Sequence, residues 1–249
     1  MRTHYVHLPL IYDQWQKSYG RDFTTAILPR LLSTLRKFKV RKSSLVDLAC
    51  GTGTLAVTMA ERGWKVWGVD ASPGMMEEAR KKTRETSLPV EFVLQDMRSF
   101  VLPERVSLVT CLFDSLNHLI RKRDIAATFR RVSDSLTPGG YFVFDVNNEH
   151  CFRNVWVMSD QIPLKDATLV LENSYNVITQ IGRSQISIFT DTHAHYHEVV
   201  NERYYTKEAI EELLGRTGFR VLQAEDFNFT GRREIGKIKT WWVARKEIR

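Results

Sequence analysis

Five short apolar runs, residues 44–50, 65–71, 90–96, 106–113 and 140–147, alternate with segments of helical periodicity in the first 147 residues. A strand that is apolar along nearly its whole length has no face to give to water, so it must be covered on both sides. Strand, helix, strand in repetition supplies that cover, and the combination specifies a parallel, doubly wound α/β sheet. The intervening helices show in Ile125, Phe129, Val132 and Leu136, with Thr137-Pro138-Gly139-Gly140 breaking that one. A further amphipathic helix, carrying Phe23, Ile27, Leu31, Leu35 and Phe38, precedes the first strand and covers the sheet.

After Asn147 the rhythm changes. Residues 167–178, 183–191 and 196–205 read as three successive strands, the first two joined across Gly182, and they form a small antiparallel sheet inserted into the domain. Thr206 then caps a helix bearing Ile210, Leu213 and Leu214, and residues 218–229 and 237–245 make a final strand pair. The 249 residues suffice for one large core with an insertion. The expected division is a core with N-terminal cap helices over residues 1–147, the insertion over 148–205, and a return to the core over 206–249.

Apolar residues make up 43% and charged residues 26% of the chain, ordinary globular usage. No apolar run is long enough for a bilayer, and Arg2, His4 and His7 stand where a signal peptide needs an apolar core, so the expectation is a cytoplasmic protein without a membrane partner. Cys50, Cys111 and Cys151 are too few and too far apart for a disulfide framework or zinc knuckle, and read as apolar fillers. A net charge of +7 gathers at residues 36–42, 80–84, 121–123 and 232–239. Such runs fit solvated helix faces or an anionic partner.

The segment Val46-Asp47-Leu48-Ala49-Cys50-Gly51-Thr52-Gly53 lies where the first strand ends and a helix begins, the place where open α/β sheets bind ligands. Asp70 ends the second strand, where a carboxylate can accept protons from both ribose hydroxyls. Gly51-x-Gly53-x-x-Ala56 matches the dinucleotide fingerprint literally. Three features point away from a dinucleotide. Asp47 would repel a pyrophosphate but attract an ammonium and a sulfonium. Asp96, ending the third strand beside Met97, suits an adenine amine. The chain ends in a strand pair containing Trp241 and Trp242 instead of a second dinucleotide-binding half.

Together with Gly68-Val69-Asp70-Ala71-Ser72-Pro73-Gly74-Met75, Gln95-Asp96-Met97 and Leu136-Thr137-Pro138-Gly139-Gly140, the loop resembles the ordered motifs of class I S-adenosylmethionine-dependent methyltransferases over residues 40–147. The resemblance implies a Rossmann-like seven-stranded sheet, S-adenosyl-L-methionine as donor and S-adenosyl-L-homocysteine as product. It implies that Asp47, Gly51 and Gly53 line the methionine moiety, Asp70 the ribose, Met75 and Met97 the adenine faces, and Asp96 the adenine amine. Tyr12, Ala49, Ala71 and Phe113 complete the cofactor set, with Ala49 in place of the first glycine of the commonest motif. The competing reading makes Asp47 a cap and the two methionines core residues.

Tyr12-Asp13-x-Trp15, Phe113-Asp114-Ser115-Leu116-Asn117-His118, and Glu198 with Arg203 and Tyr205 resemble small-molecule methyltransferases with a β-sheet insertion, a group that includes bacterial amino-sugar N-methyltransferases. This implies an N-terminal segment folded over the cofactor, with Tyr12 and Tyr19 within reach, and an inserted sheet that walls the acceptor pocket or makes a homodimer contact. His118 is the first candidate for a base, and Glu198, Arg203 and Tyr205 follow. Asp191, His193, His195 and His197 alternate as metal ligands on one strand face would, but the segment spans a turn and methyl transfer needs no metal. The rivals are an RNA methyltransferase, favoured by the basic clusters but lacking an Asp-Pro-Pro-aromatic signature or an appended RNA-binding module, and a non-catalytic cofactor-binding protein.

Overall fold

The computed structural model describes residues 5–18, 22–228 and 232–248. Helices α1 (Tyr12–Ser18) and α2 (Phe23–Lys37) lead into β1 (Ser44–Leu48), α3 (Thr54–Glu61), β2 (Lys65–Asp70), α4 (Pro73–Thr83), β3 (Val90–Leu94) and β4 (Val106–Cys111). Then come α5 (Lys122–Ser135), β5 (Leu136–Asn147), and the strands β6 (Asp160–Pro163), β7 (Ala167–Asn176), β8 (Ile181–Thr190) and β9 (His195–Arg203). Helix α6 (Lys207–Arg216), β10 (Phe219–Phe227) and β11 (Lys239–Lys246) close the chain.

Seven strands form one sheet in the order β10-β11-β5-β4-β1-β2-β3. It is parallel except for β11, which runs antiparallel to β10 and β5. Successive side chains of β11 point to opposite faces, and Trp241 and Trp242 consequently anchor two separate cores. Trp241 joins Ile27, Leu31, Met59 and Met76 of α2, α3 and α4 on one face, and Trp242 joins Phe129, Val132, Ile210 and Leu214 of α5 and α6 on the other. From the central β1 the chain winds outward to β3, then crosses back to β4. The switch point thus lies between the carboxyl ends of β1 and β4.

The four strands between Asn147 and α6 form a separate antiparallel sheet in the order β6-β7-β8-β9. Its buried face carries Ile162, Leu169, Leu171, Ile186, Ile188 and Val200, and Leu8 from the start of the chain packs among them.

The sequence boundaries shift where the backbone turns left-handed. The first and fourth strands stop at Leu48 and Cys111 because Ala49 (φ 57°), Phe113 (φ 61°) and Asp114 (φ 50°) leave the extended region. Gly182 is not the joint between β7 and β8. It sits inside β8 opposite Tyr175, where a Cβ would meet the Trp156 ring at 2.7 Å, and the turn falls at residues 177–180 with Gln180 at φ 59°. The expected end of the penultimate strand at Phe229 lies outside the described residues, as do Arg2, His4 and Tyr19.

Candidate active site

The β1–α3 turn is built from backbone that only certain residues tolerate. Gly51 and Gly53 have φ of 55° and 75°, in the left-handed region where glycine carries no steric cost. At Gly53 a Cβ would also lie 2.6 Å from the Phe92 ring, so this glycine lets β3 pack beneath the turn. The turn is pinned to β2 by Cys50 N–H to the Val69 carbonyl (3.1 Å) and to α1 by Thr52, whose hydroxyl donates to Asp13 at 2.6 Å. Lys82 of α4 completes that knot, bonding Thr52 and Thr54 and pairing with Asp13 at 2.7 Å.

Three carboxylates stand at the strand ends. Asp47 is buried in β1, and burial, reinforced by the charge of Asp70, pushes its carboxyl up to about 7 against the Thr110 hydroxyl that donates to it at 2.9 Å. Asp70 accepts from the backbone N–H groups of Gly51 (2.9 Å) and Ser72 (2.8 Å), so it braces the turn while retaining acceptor capacity on each oxygen. Burial raises its carboxyl above the usual range. Asp96 is clamped by Arg98, which donates from Nε (2.9 Å), Nη2 (2.6 Å) and its own backbone N–H (2.8 Å) and holds the carboxyl low.

Asp70 and Asp96 open onto a cavity of about 1180 Å³. Of the cofactor candidates, Tyr12, Ala49, Gly51, Asp70, Ala71, Met75, Asp96, Met97 and Phe113 line it. Asp47 lines a smaller recess beneath the turn, shared with Tyr12, Gly51 and Phe113, whereas Gly53 lines neither and packs on Phe92. The far wall is the inserted sheet, through Leu171, Ser184, Ile186, Val200 and Glu202. A donor with an adenosine and a cationic amino-acid end fits this acidic, partly apolar lining, and the groups at hand to hold it are Asp47, Asp70 and Asp96.

Where the two sheets meet, the wall is ionic. Lys239, 2% exposed, donates to Asp114 (2.6 Å) and Asp145 (2.8 Å). Asp145 also accepts the N–H groups of Phe113 (2.6 Å) and Asp114 (3.0 Å), which holds these two left-handed residues in place at the end of β4. Asn147 donates to Asp114 and to Glu202, each at 3.1 Å. Burial alone would raise Asp114, but Lys239 outweighs it and holds that carboxyl low; burial and the charge of Asp114 drive Glu202 well above the carboxylate range.

The acceptor-side candidates divide. His118 lines the cavity, 3.7 Å from Glu202 Oε1 and 3.4 Å from the Tyr5 hydroxyl. Glu198 does not reach the cavity lining; its Oε1 accepts from the backbone N–H groups of Val6, His7 and Leu8 at 3.0, 2.5 and 3.2 Å and fastens the start of the chain to the inserted sheet. Arg203 donates to the Ile120 carbonyl (3.1 Å) and Tyr205 to the Leu119 carbonyl, so both support the turn that presents His118 from behind. Asp191 and His193 sit in the β8–β9 turn, His195 stacks on Phe189, and His197 faces Ser187. Asp114 stands in the Phe113–His118 segment without a role of its own, and the sequence assigns no site role to Tyr5, Asn147, Glu202 or Lys239. The available signal was a charged residue at an inward position of a strand, as in Asp145, Glu202 and Lys239.

Comparison with known proteins bears on this geometry. A methyltransferase-domain family model matches residues 45–140. YqeM of Bacillus subtilis (strain 168), named as a methyltransferase, is 30% identical over 228 residues, 86% of this chain and 81% of its own. The chain belongs to the S-adenosylmethionine-dependent methyltransferases. Within this family it is 30% identical over 135 residues to a Streptomyces fradiae protein named dTDP-3-amino-3,6-dideoxy-alpha-D-glucopyranose N,N-dimethyltransferase, 54% of this chain and 51% of that one. The fold of this methyltransferase is shared with the crystal structure of an S-adenosylmethionine-dependent methyltransferase from Clostridium acetobutylicum ATCC 824, with TM-score 0.82, 24% identity and coverage of 96% and 97%.

Proposed function

We propose that this methyltransferase acts on a small-molecule acceptor bound between the core and the inserted segment 148–205. The observation that carries this reading is the size and lining of the cavity. At about 1180 Å³ it exceeds the roughly 300–1000 Å³ of a single small-ligand site, and it runs without interruption from Asp70 and Asp96 to His118 and the inserted sheet. One end suits the donor, and the remainder has room for an acceptor.

S-adenosylmethionine supplies a methyl group already activated by a positively charged sulfur. The chain's own work is then to orient, exclude water and hold charge. Asp47 faces the amino-acid end, Asp70 the ribose, Asp96 the adenine amine, and Met75 and Met97 the ring. Tyr5 and Tyr12 of the N-terminal segment close over the cavity and exclude water. His118 takes the proton that a protonated or hydroxylic acceptor must lose. The relationship to an amino-sugar dimethyltransferase favours an amine as the accepting group.

Nucleic acid is the weaker alternative. Several residues of the basic clusters are already matched: Lys81 with Glu77 and Glu78, Lys82 with Asp13, Arg123 with Asp124, and Lys239 with Asp114 and Asp145. Among the described residues no helix is long and apolar enough to cross a membrane.

The test uses labelled S-adenosylmethionine with a small-molecule extract and, separately, with bulk tRNA. Label entering small molecules, together with calorimetric binding of S-adenosylhomocysteine at roughly micromolar strength, is the expected result. Label confined to tRNA would overturn the acceptor assignment.

A further inference from the structure

Beyond the ionic seam the cavity changes character. On the inner face of the inserted sheet Leu171 of β7 stands opposite Ile186 of β8, and Ser184 of β8 lies between Asn173 of β7 and Val200 of β9. All five line the cavity. The rest of this wall comes from Val155, Trp156 and Met158, in the stretch between β5 and β6, and from Ile235 and Ile238, just before β11. Trp156 Nε1 donates to the Ser174 carbonyl (3.1 Å) and Asn173 Nδ2 to the Met158 carbonyl (2.8 Å). These bonds fasten residues 156–158 to the sheet and use up the polar atoms there, so an indole ring and a thioether are what the wall presents. Met158 is 63% exposed although it lines the cavity. An apolar side chain left in water at the mouth of a cavity is surface that a bound apolar molecule would cover.

Cations are few where a nucleoside diphosphate would need them. Lys239 is committed to Asp114 and Asp145, and Arg98 to Asp96 and Asp124. Arg121 stands at the Asp96 end of the cavity, where its carbonyl accepts the Asp124 N–H at 2.9 Å. Among the described residues that line the part beyond the seam, Arg232 is the one cation. It is exposed, and an exposed carboxylate, Asp160, stands in the same lining. A diphosphate carries more than one charge and is held by several converging donors, which this wall does not supply.

We propose that the acceptor is an apolar amine. Its nitrogen lies at the seam, beside Asp114, Asn147 and His118, and its body is an uncharged hydrocarbon or aromatic framework bedded on Trp156, Met158, Ile186, Val200 and Ile238. A nucleoside diphosphate sugar does not suit this wall. The inference rests on the reading of the cavity as the acceptor site. Each part of the framework that is buried displaces water from side chains that cannot hydrogen-bond it, a gain of about threefold or more in affinity per methylene. The few polar groups at the seam then fix which end of the molecule meets the methyl group.

Two experiments test this. In the first, n-butylamine, n-hexylamine and n-octylamine are titrated by calorimetry into protein saturated with S-adenosylhomocysteine. Binding should tighten by about threefold or more for each added methylene. M158Q keeps the length of the side chain but makes the mouth polar, and I186N makes the interior polar. Both should weaken octylamine binding by about threefold or more, while affinity for S-adenosylhomocysteine stays within about twofold. M158Q, at an exposed position, serves alone if I186N does not fold. Affinity that does not grow with chain length, or that grows in the variants as in the parent protein, overturns the proposal. In the second, the labelled products made from the small-molecule extract are partitioned between butanol and water at about pH 11, where an amine is largely uncharged. Label in the butanol is expected. Label that stays in the water with the nucleotides overturns the apolar body and leaves the small-molecule reading standing, whereas label found only in tRNA overturns both.

Discussion

On the proposed placement of the donor, the charge state of Asp47 couples stability to donor binding. Its carboxyl is pushed up to about 7 by burial and by Asp70. Between about pH 4 and 7 the folded protein thus holds a proton that the unfolded chain has lost, and stability falls as pH rises through that window. A cation bound beside Asp47 favours the ionised form and expels the proton. On the proposed placement, affinity for S-adenosylmethionine should rise relative to the uncharged sulfur product between about pH 6 and about pH 8, by roughly threefold or more. Calorimetry with both ligands measures this, and D47N should flatten the difference. A ratio that is flat in the parent protein would remove Asp47 from the cationic end of the donor. Asp70, its neighbour, is legible from its place at a strand end, but its second task is not: no one-dimensional spacing shows that its carboxylate accepts the N–H groups of both Gly51 and Ser72.

At the scale of elements, the packing of β2, β3 and the glycine turn depends on one ring. A Cβ at Gly68 would lie 2.5 Å from Phe92 Cδ1 and 3.0 Å from Cys50 Sγ, and Gly53 abuts the same ring. Gly68 has no left-handed backbone, so substitution there is a test of space alone. Gly68→Ala should cost about 1–3 kcal/mol by urea unfolding. Phe92→Leu in the same chain should recover part of that loss, with a coupling of about 1 kcal/mol in a double-mutant cycle. Strict additivity would mean that something other than Phe92 fills the space. The strands of this sheet were readable because apolar runs such as residues 106–113 are long and bounded by turn residues. Strand β6 was not, since its four residues bury only Ile162 and give no period. Gly182 misled for a physical reason: glycine marks either a turn or a close approach, and here it admits the Trp156 ring. At the candidate site, the motifs point to the proposed donor side, whereas the wall proposed to face the acceptor is formed by Glu202, Asp114 and Lys239, which no motif joins.

Across the whole molecule, the two sheets and the cavity between them converge on Lys239. Its ammonium, 2% exposed, pairs with Asp114 after β4 and with Asp145 in β5, and Asn147 links Asp114 to Glu202 of the inserted sheet. Removing the cation leaves the buried Asp145 and the partly buried Asp114 facing each other with nothing to offset them. A buried pair broken this way typically costs about 3–5 kcal/mol, so K239M should lower the melting temperature by roughly 6–20 °C at neutral pH. The sign of its pH dependence follows from the carboxylates. In the parent protein Lys239 holds Asp114 below the usual range, a contribution present above the unfolded-state value and lost as pH falls. In K239M both carboxyls rise, so the folded variant retains protons the unfolded chain has released and loses stability as pH rises. The gap between parent and variant should therefore widen from about pH 5 to about pH 8, which calorimetry across that range measures. Because Asn147 still bonds Glu202 and Glu198 still holds the N-terminal backbone, the inserted sheet stays tied to the rest of the protein and the variant should still melt in one transition. A constant gap across pH would show that the carboxylates are not the source of the loss, and two resolved transitions would show that the insertion unfolds independently of the core.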